Sequence, residues 1–286
     1  MKAAIARTVA GWLRGYPYRG KVAAWNRFAA WLGPEQLDIT LSTGGHMRID
    51  TGLYWQRLML AEAFERRSAW LVARLLDQGD VFIDGGANCG FYACLAAGRV
   101  GASGRVIAVE PDRRLHAQLA EQSRLNAPML EVRHDALSDG VGTAQFHLPP
   151  GEIADGWGLG IASLEPHDGW VTHVVPTVTL DVIAGGVDRP VALAKLDLEG
   201  HEAQALRGAR EALRSGQLES LLVEVNDTRM FEELRAHRFD TILDVRNGFT
   251  EIADLRALDG THTDLALLRG LCARRWQHVR QRTRWM

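Results

Sequence analysis

Residues 81–92 read VFIDGGANCGFY. Val81-Phe82-Ile83 is a short apolar run without polar alternation, the pattern of a strand buried on both faces. Asp84 closes the run, glycines follow at 85, 86 and 90, and an apolar helical pattern begins after them. Strand, glycine turn and helix in this order let a ligand approach the backbone and leave the first helical N–H groups free to meet an anion. A dinucleotide fingerprint needs G-x-G-x-x-G, and Ala87 stands where its second glycine belongs.

Outward from this segment, short apolar runs alternate with amphipathic helices. Val106 to Val109, the neighbourhood of Val132, Val191 to Leu198, Leu221 to Val225, Thr241 to Val245 and Leu265 to Leu268 read as further strands. Leu115, Leu119 and Leu125 mark one crossover helix that ends near Asn126 and Pro128, and Leu206, Ala209 and Leu213 mark another before Gly216. The alternation predicts an α/β domain over residues 61–270, a doubly wound sheet of about seven strands that holds its ligand at the strands' carboxyl ends. Residues 148–176, which include GWGLGIASLE, read either as a lid over the site or as a long connection.

The chain has 286 residues, 47% of them hydrophobic, enough for one large domain with extensions. Ordinary Gly and Pro counts and only three cysteines, Cys89, Cys94 and Cys272, exclude disorder, collagen and a disulfide-built miniprotein. The cysteines read as reduced packing residues, and Arg7 and Arg14 interrupt the first apolar stretch, so the expectation is an unprocessed cytoplasmic protein. A net charge of −2 hides segregation: residues 1–34 and 265–286 each carry six Lys or Arg and no acid, leaving −14 between them. Trp12, Trp25, Trp31, Trp276 and Trp285 lie in those ends. Residues 1–60 therefore read as a basic, Trp-containing extension of helix and strand, and residues 271–286 as a basic C-terminal helix. Such helices either lie peripherally on the inner face of a membrane or act as docking or oligomer-forming helices. The acidic middle argues against a nucleic-acid partner.

The glycine segment matches D-x-G-x-N-x-G and resembles the first motif of class I S-adenosylmethionine-dependent methyltransferases. RVIAVEP ends in Glu110, twenty residues after Gly90, where a carboxylate can accept both ribose hydroxyls of that cofactor. With RVIAVEPD, ALSDGVGTA, VPTVTLDVI, AKLDLEGHEAQALRGA and LLVEVN in the same order, residues 62–245 resemble the FkbM-type methyltransferases. Gly85 before Gly86, and Cys89, depart slightly from that family's pattern. The resemblance implies a class I methyltransferase fold. It also implies S-adenosyl-L-methionine as cofactor, S-adenosyl-L-homocysteine as product, and an acceptor hydroxyl on a sugar, glycan, glycolipid or natural product. It places Asp84, Gly85, Gly86, Asn88, Gly90 and Glu110 around the cofactor, with Asp135 and Ala136 near its adenine. Asp135 reads equally well as a turn former.

Methyl transfer to oxygen requires alignment and removal of a hydroxyl proton. LAKLDLEGHE supplies Asp197 as a site carboxylate and Glu199 or His201 as proton acceptor, with Lys195 a partner for Asp197. Asp197 with Asn226 and Asp227 would suit Mg²⁺, an alternative that the family resemblance does not favour. A non-catalytic membrane-surface protein that keeps the cofactor pocket is the rival from another class. No H-E-x-x-H, G-x-x-x-x-G-K or G-x-S-x-G occurs.

Overall fold

The computed structural model describes residues 33–150, 163–164, 167–225, 229–253, 255 and 263–282, together with Ile5, Thr8, Val9, Arg27, Phe28 and Trp31. An antiparallel hairpin, β1 (Gln36–Thr40) and β2 (His46–Asp50), comes first, followed by helices α1 (Tyr54–Leu60) and α2 (Arg66–Leu75). The alternating residues Leu37, Ile39, Met47 and Ile49 of the hairpin are buried in the same apolar cluster as Leu71, Val72 and Leu75 of α2. The core therefore crosses the boundary expected at residue 60.

The main sheet starts with β3 (Val81–Gly85), α3 (Phe91–Val100), β4 (Arg105–Val109), α4 (His116–Leu125) and β5 (Leu130–Arg133). After an inserted small sheet come α5 (Leu180–Gly185), β9 (Val191–Leu196), α6 (Glu202–Arg207), α7 (Arg210–Ser215) and β10 (Leu221–Val225). The rest is α8 (Arg229–Arg235), β11 (Thr241–Asp244), β12 (Thr250–Glu251), β13 (Thr263–Leu268) and α9 (Gly270–Arg282). The order across the sheet is β12-β11-β13-β10-β9-β3-β4-β5. β5, β4, β3, β9 and β10 are parallel, and β13 runs antiparallel between β10 and β11. This is the α/β class I methyltransferase architecture, with the two-residue β12 added to the seven expected strands. Period-two alternation sends Phe82, Leu193 and Leu222 to one apolar layer and Ile83, Ala194 and Val223 to the other. Each interior strand is thus covered by helices on both faces.

Two expectations change. The helix expected across Leu206, Ala209 and Leu213 is divided at Gly208, where an added Cβ would stand 2.2 Å from the Ser138 carbonyl oxygen. The stretch from 148 to 176 is partly sheet: β7 (Gly142–Leu148) pairs antiparallel with β8 (Val171–Val178), and β6 (Ala136–Leu137) pairs with β8 at Thr177 and Val178. Pro176 stands opposite Thr143 of β7, one register position before β6 begins to pair. Residues 151–162 and 165–166 of this stretch lie outside the described residues.

The basic C-terminal segment is a docked helix over Gly270–Arg282. Cys272 and Trp276 of α9 are buried, Trp276 at 1% exposure and against Phe249, and Arg275 pairs with Asp80. Trp276 thus faces the protein. Trp12, Trp25 and Trp285 lie outside the described residues, and no helix among those described is long and apolar enough to cross a membrane. Replacing Trp276 with Ala should cost about 3–5 kcal/mol of stability in a urea titration. A loss below about 1 kcal/mol would show that α9 does not complete the core.

Candidate active site

The β3–α3 turn is stitched to strands on both sides. Amides of Gly86 and Ala87 donate to the Val109 carbonyl at 3.0 and 3.1 Å, and the Asp197 amide donates to the Gly85 carbonyl at 3.2 Å. Gly86 has φ +74°, and a Cβ on it would lie 1.9 Å from the Asp197 carbonyl oxygen, so only glycine fits. Asn88 also has positive φ, which Asn tolerates better than most residues, and its amide donates to Glu110 Oε2 at 2.8 Å. The other Glu110 oxygen accepts from the Asp112 amide at 2.9 Å. Burial raises the Glu110 carboxyl to about 7, against the pull of those two amides.

These tips open on a cavity of about 540 Å³. Gly86, Asn88, Glu110, Ala136, Asp197 and Glu199 line it, six of the eleven residues expected from sequence. Asp84 lies just beneath, fully buried, and among the described residues no side chain donates a hydrogen bond to either of its oxygens. Burial lifts its pKa to about 6, with Lys195 and the Ala93 amide working the other way. Gly85 is the last residue of β3, and Gly90 caps α3 with a left-handed φ of +87°. Asp135 does not line the cavity; its carboxylate accepts from Arg133 Nε at 3.0 Å. His201 also stands off the wall, with Nε2 3.1 Å from Ser138 Oγ.

Sequence reasoning did not assign the opposite wall. Trp55, Met59, Phe64 and Glu65 come from α1 and the turn into α2, and Tyr92 comes from the first turn of α3. The positive φ of Glu65 at the head of α2 orients its carboxylate, which accepts the Tyr92 hydroxyl at 2.7 Å. Tyr92 was within the motif run, but nothing in a single sequence separates a cavity tyrosine from a core one.

The carboxyl end of β9 holds the charges. Burial works against Lys195, but Asp197, Glu65 and Asp84 more than compensate and raise its pKa, so it stays an ammonium. It sits 2.8 Å from Asp197 and 4.6 Å from the Tyr92 ring centroid. Burial would raise Asp197, yet Lys195 outweighs it and keeps Asp197 below the usual carboxylate range. The neighbouring Glu224, also tied to Arg246 at 2.6 Å, is raised by burial and by Asp197. Glu199 adopts φ +52° beyond the strand end and is pushed up to about 8 by burial and by Asp197, Glu224 and Glu202, with Lys195 opposing. Glu202 braces this turn: fully buried, its Oε1 accepts the Leu198 amide at 2.7 Å and the Gly200 amide at 3.4 Å. Among the described residues, no group of three or more His, Cys, Asp or Glu is placed to hold a metal ion, and Asn226 and Asp227 lie outside them. Glu202→Ala should cost about 1.5–3 kcal/mol in chemical denaturation, since two amides lose a charged acceptor, whereas Glu202→Gln should keep more than half of that. Equal losses for the two variants would remove the brace.

The glycine turn, the doubly anchored Glu110 and the buried Asp84 carboxylate give a hydroxyl- and cation-accepting donor set that fits S-adenosylmethionine. The Methyltransferase FkbM domain matches residues 84–256. Hexuronic acid methyltransferase AglP of Haloferax volcanii is 30% identical over 166 residues, which is 54% of this chain and 61% of that protein. The chain thus matches less than two thirds of that relative's length. A putative rRNA methylase from Clostridium thermocellum aligns at 13% identity over 71% of this chain and 94% of its own, with a TM-score of 0.42. Aeropyrum pernix fibrillarin, solved with natively bound S-adenosyl-L-methionine, aligns at 14% identity over 82% of each chain, with a TM-score of 0.40. With its fold, its glycine turn and a domain match that spans more than half its length, the chain belongs to the FkbM family of S-adenosylmethionine-dependent methyltransferases.

Proposed function

We propose that this enzyme methylates a hydroxyl group, and that the hydroxyl belongs to a sugar in a glycan, glycolipid or glycosylated natural product. The observation that carries this reading is Glu199: a cavity-lining carboxyl raised to about 8, beside the ionised Asp197. A proton acceptor works best with a pKa near the working pH, and a hydroxyl acceptor is the case that needs one. The sugar is supported by the substrate named for the Haloferax relative, a hexuronic acid.

When bound, S-adenosylmethionine supplies an electrophilic methyl group on a sulfonium. Glu199 would take up the acceptor's hydroxyl proton on a carboxylate oxygen as that hydroxyl is methylated. Asp197, fixed by Lys195, orients the hydroxyl as a hydrogen-bond acceptor. Glu110 receives the ribose hydroxyls, and Asp84 supplies negative charge beneath the glycine turn. His201, held by Ser138 off the cavity wall, is the less suited of the two proton acceptors read from the sequence.

Only ionised Glu199 accepts a proton, so kcat should climb with pH up to about 8 and flatten above it. Glu199→Gln should lower kcat by about 10²–10⁴-fold while cofactor affinity holds; wild-type turnover in that variant would remove Glu199 from the role. Ribose hydroxyls favour the charged form of Glu110, so binding of S-adenosylmethionine below pH 7 should release protons, measurable by calorimetry in buffers of different ionisation enthalpy. Glu110→Ala should weaken binding roughly 10- to 150-fold, the worth of hydrogen bonds to a charged group. Undiminished affinity in a folded variant would overturn the ribose assignment.

A further inference from the structure

We propose that the acceptor enters the cavity as an uncharged polyol whose hydroxyls meet Glu65, Asp197 and Glu199, and that a sugar bearing a carboxylate is rejected. The inference rests on the reading of this cavity as a sugar O-methylation site, takes only the sugar class from the Haloferax relative, and departs from that relative's hexuronic acid in the charge of the acceptor. Among the described residues that line it, the carboxylates are Glu65, Glu110, Asp112, Asp197 and Glu199, and the only Lys or Arg is Lys195. That ammonium is already engaged, buried at 6% exposure between Asp197 and the face of Tyr92. Asp112 is matched by Arg114 at 2.7 Å, and Glu110 is committed to the cofactor end. The acceptor end is left with Glu65 and Glu199 and no second cation among the described residues.

Carboxylates and carboxylic acids in a sheltered cavity suit neighbouring hydroxyls, each of which can donate and accept. Trp55 and Phe64, edge to face at 5.9 Å, add apolar surface of the kind that suits the C–H face of a pyranose. A uronate would instead bring another negative charge into a space where burial and like charges already favour the protonated forms of Glu65 and Glu199. Like-charge juxtaposition of this kind is a strong selector against the wrong partner.

The test uses the full chain, S-adenosylmethionine with a labelled methyl group, and matched aryl glycosides of the gluco, galacto and manno series. Each series comprises the neutral glycoside, the uronide and the uronamide, which keeps the uronide's shape without its charge. The neutral glycoside and uronamide should exceed the uronide in kcat/KM by about tenfold or more, equivalent to about 1.4 kcal/mol. In Glu65→Gln that gap should narrow, and an unchanged gap would count against Glu65 as part of the selection. A uronide methylated as well as its uronamide overturns the inference and leaves sugar O-methylation standing. No transfer to any glycoside, with cofactor binding intact by calorimetry, removes the sugar reading and the inference with it.

Discussion

Everything chemical in this protein depends on how closely the β3–α3 turn approaches the tip of β9. At Gly86 the two backbones come so near that a single added carbon would stand 1.9 Å from the Asp197 carbonyl oxygen. Close packing does not absorb an overlap of that size, so the glycine turn and the tip that carries Asp197 and Glu199 are held at one separation. In-line transfer depends on just such a fixed distance between two partners. The same turn bonds to Val109 on its other side, so three neighbouring strand ends behave as one rigid rim.

On that rim the charges divide the work. Lys195 would be costly where it is buried, and it remains charged because Asp197, Glu65, Asp84 and the Tyr92 face surround it. Holding Lys195 keeps Asp197 ionised across ordinary pH, which makes Asp197 a constant feature of the site. Glu199 lies beyond the strand end, without that direct partner and among other carboxylates, so burial and its neighbours push it up to about 8. Two carboxyls two residues apart acquire different roles from their surroundings alone.

The sheet and the glycine-turn side of the cavity were legible in the sequence because they are local. Val81 to Gly90 is one contiguous strand, turn and helix, and Glu110 follows at a spacing set by a single crossover. The wall formed by Trp55, Phe64 and Glu65 was not legible, since these residues reach the cavity through the packing of α1 and α2, which no periodicity encodes. Asp135 and His201 sit at plausible positions in the chain, but Arg133 and Ser138 engage them instead. The division of one expected helix at Gly208 and the strand pairing of Val171–Val178 likewise reflect contacts made far away in sequence. The basic C-terminal segment read by composition either as a membrane-surface helix or as a docking helix, and it docks through Cys272 and Trp276, which share one face.

The position of β13 has a consequence for how the molecule is made. β10 and β11 do not pair with each other; each bonds to β13, which follows both in the chain. During synthesis β10 therefore presents an open, apolar ladder until residues 263–268 emerge to fill the gap, and β11 has only the two-residue β12 beside it. Vectorial production leaves this end of the sheet unfinished while the cofactor-binding end already has all its strands. The interval is one in which a nascent chain is exposed to mispairing, and shielding by a chaperone would matter most there.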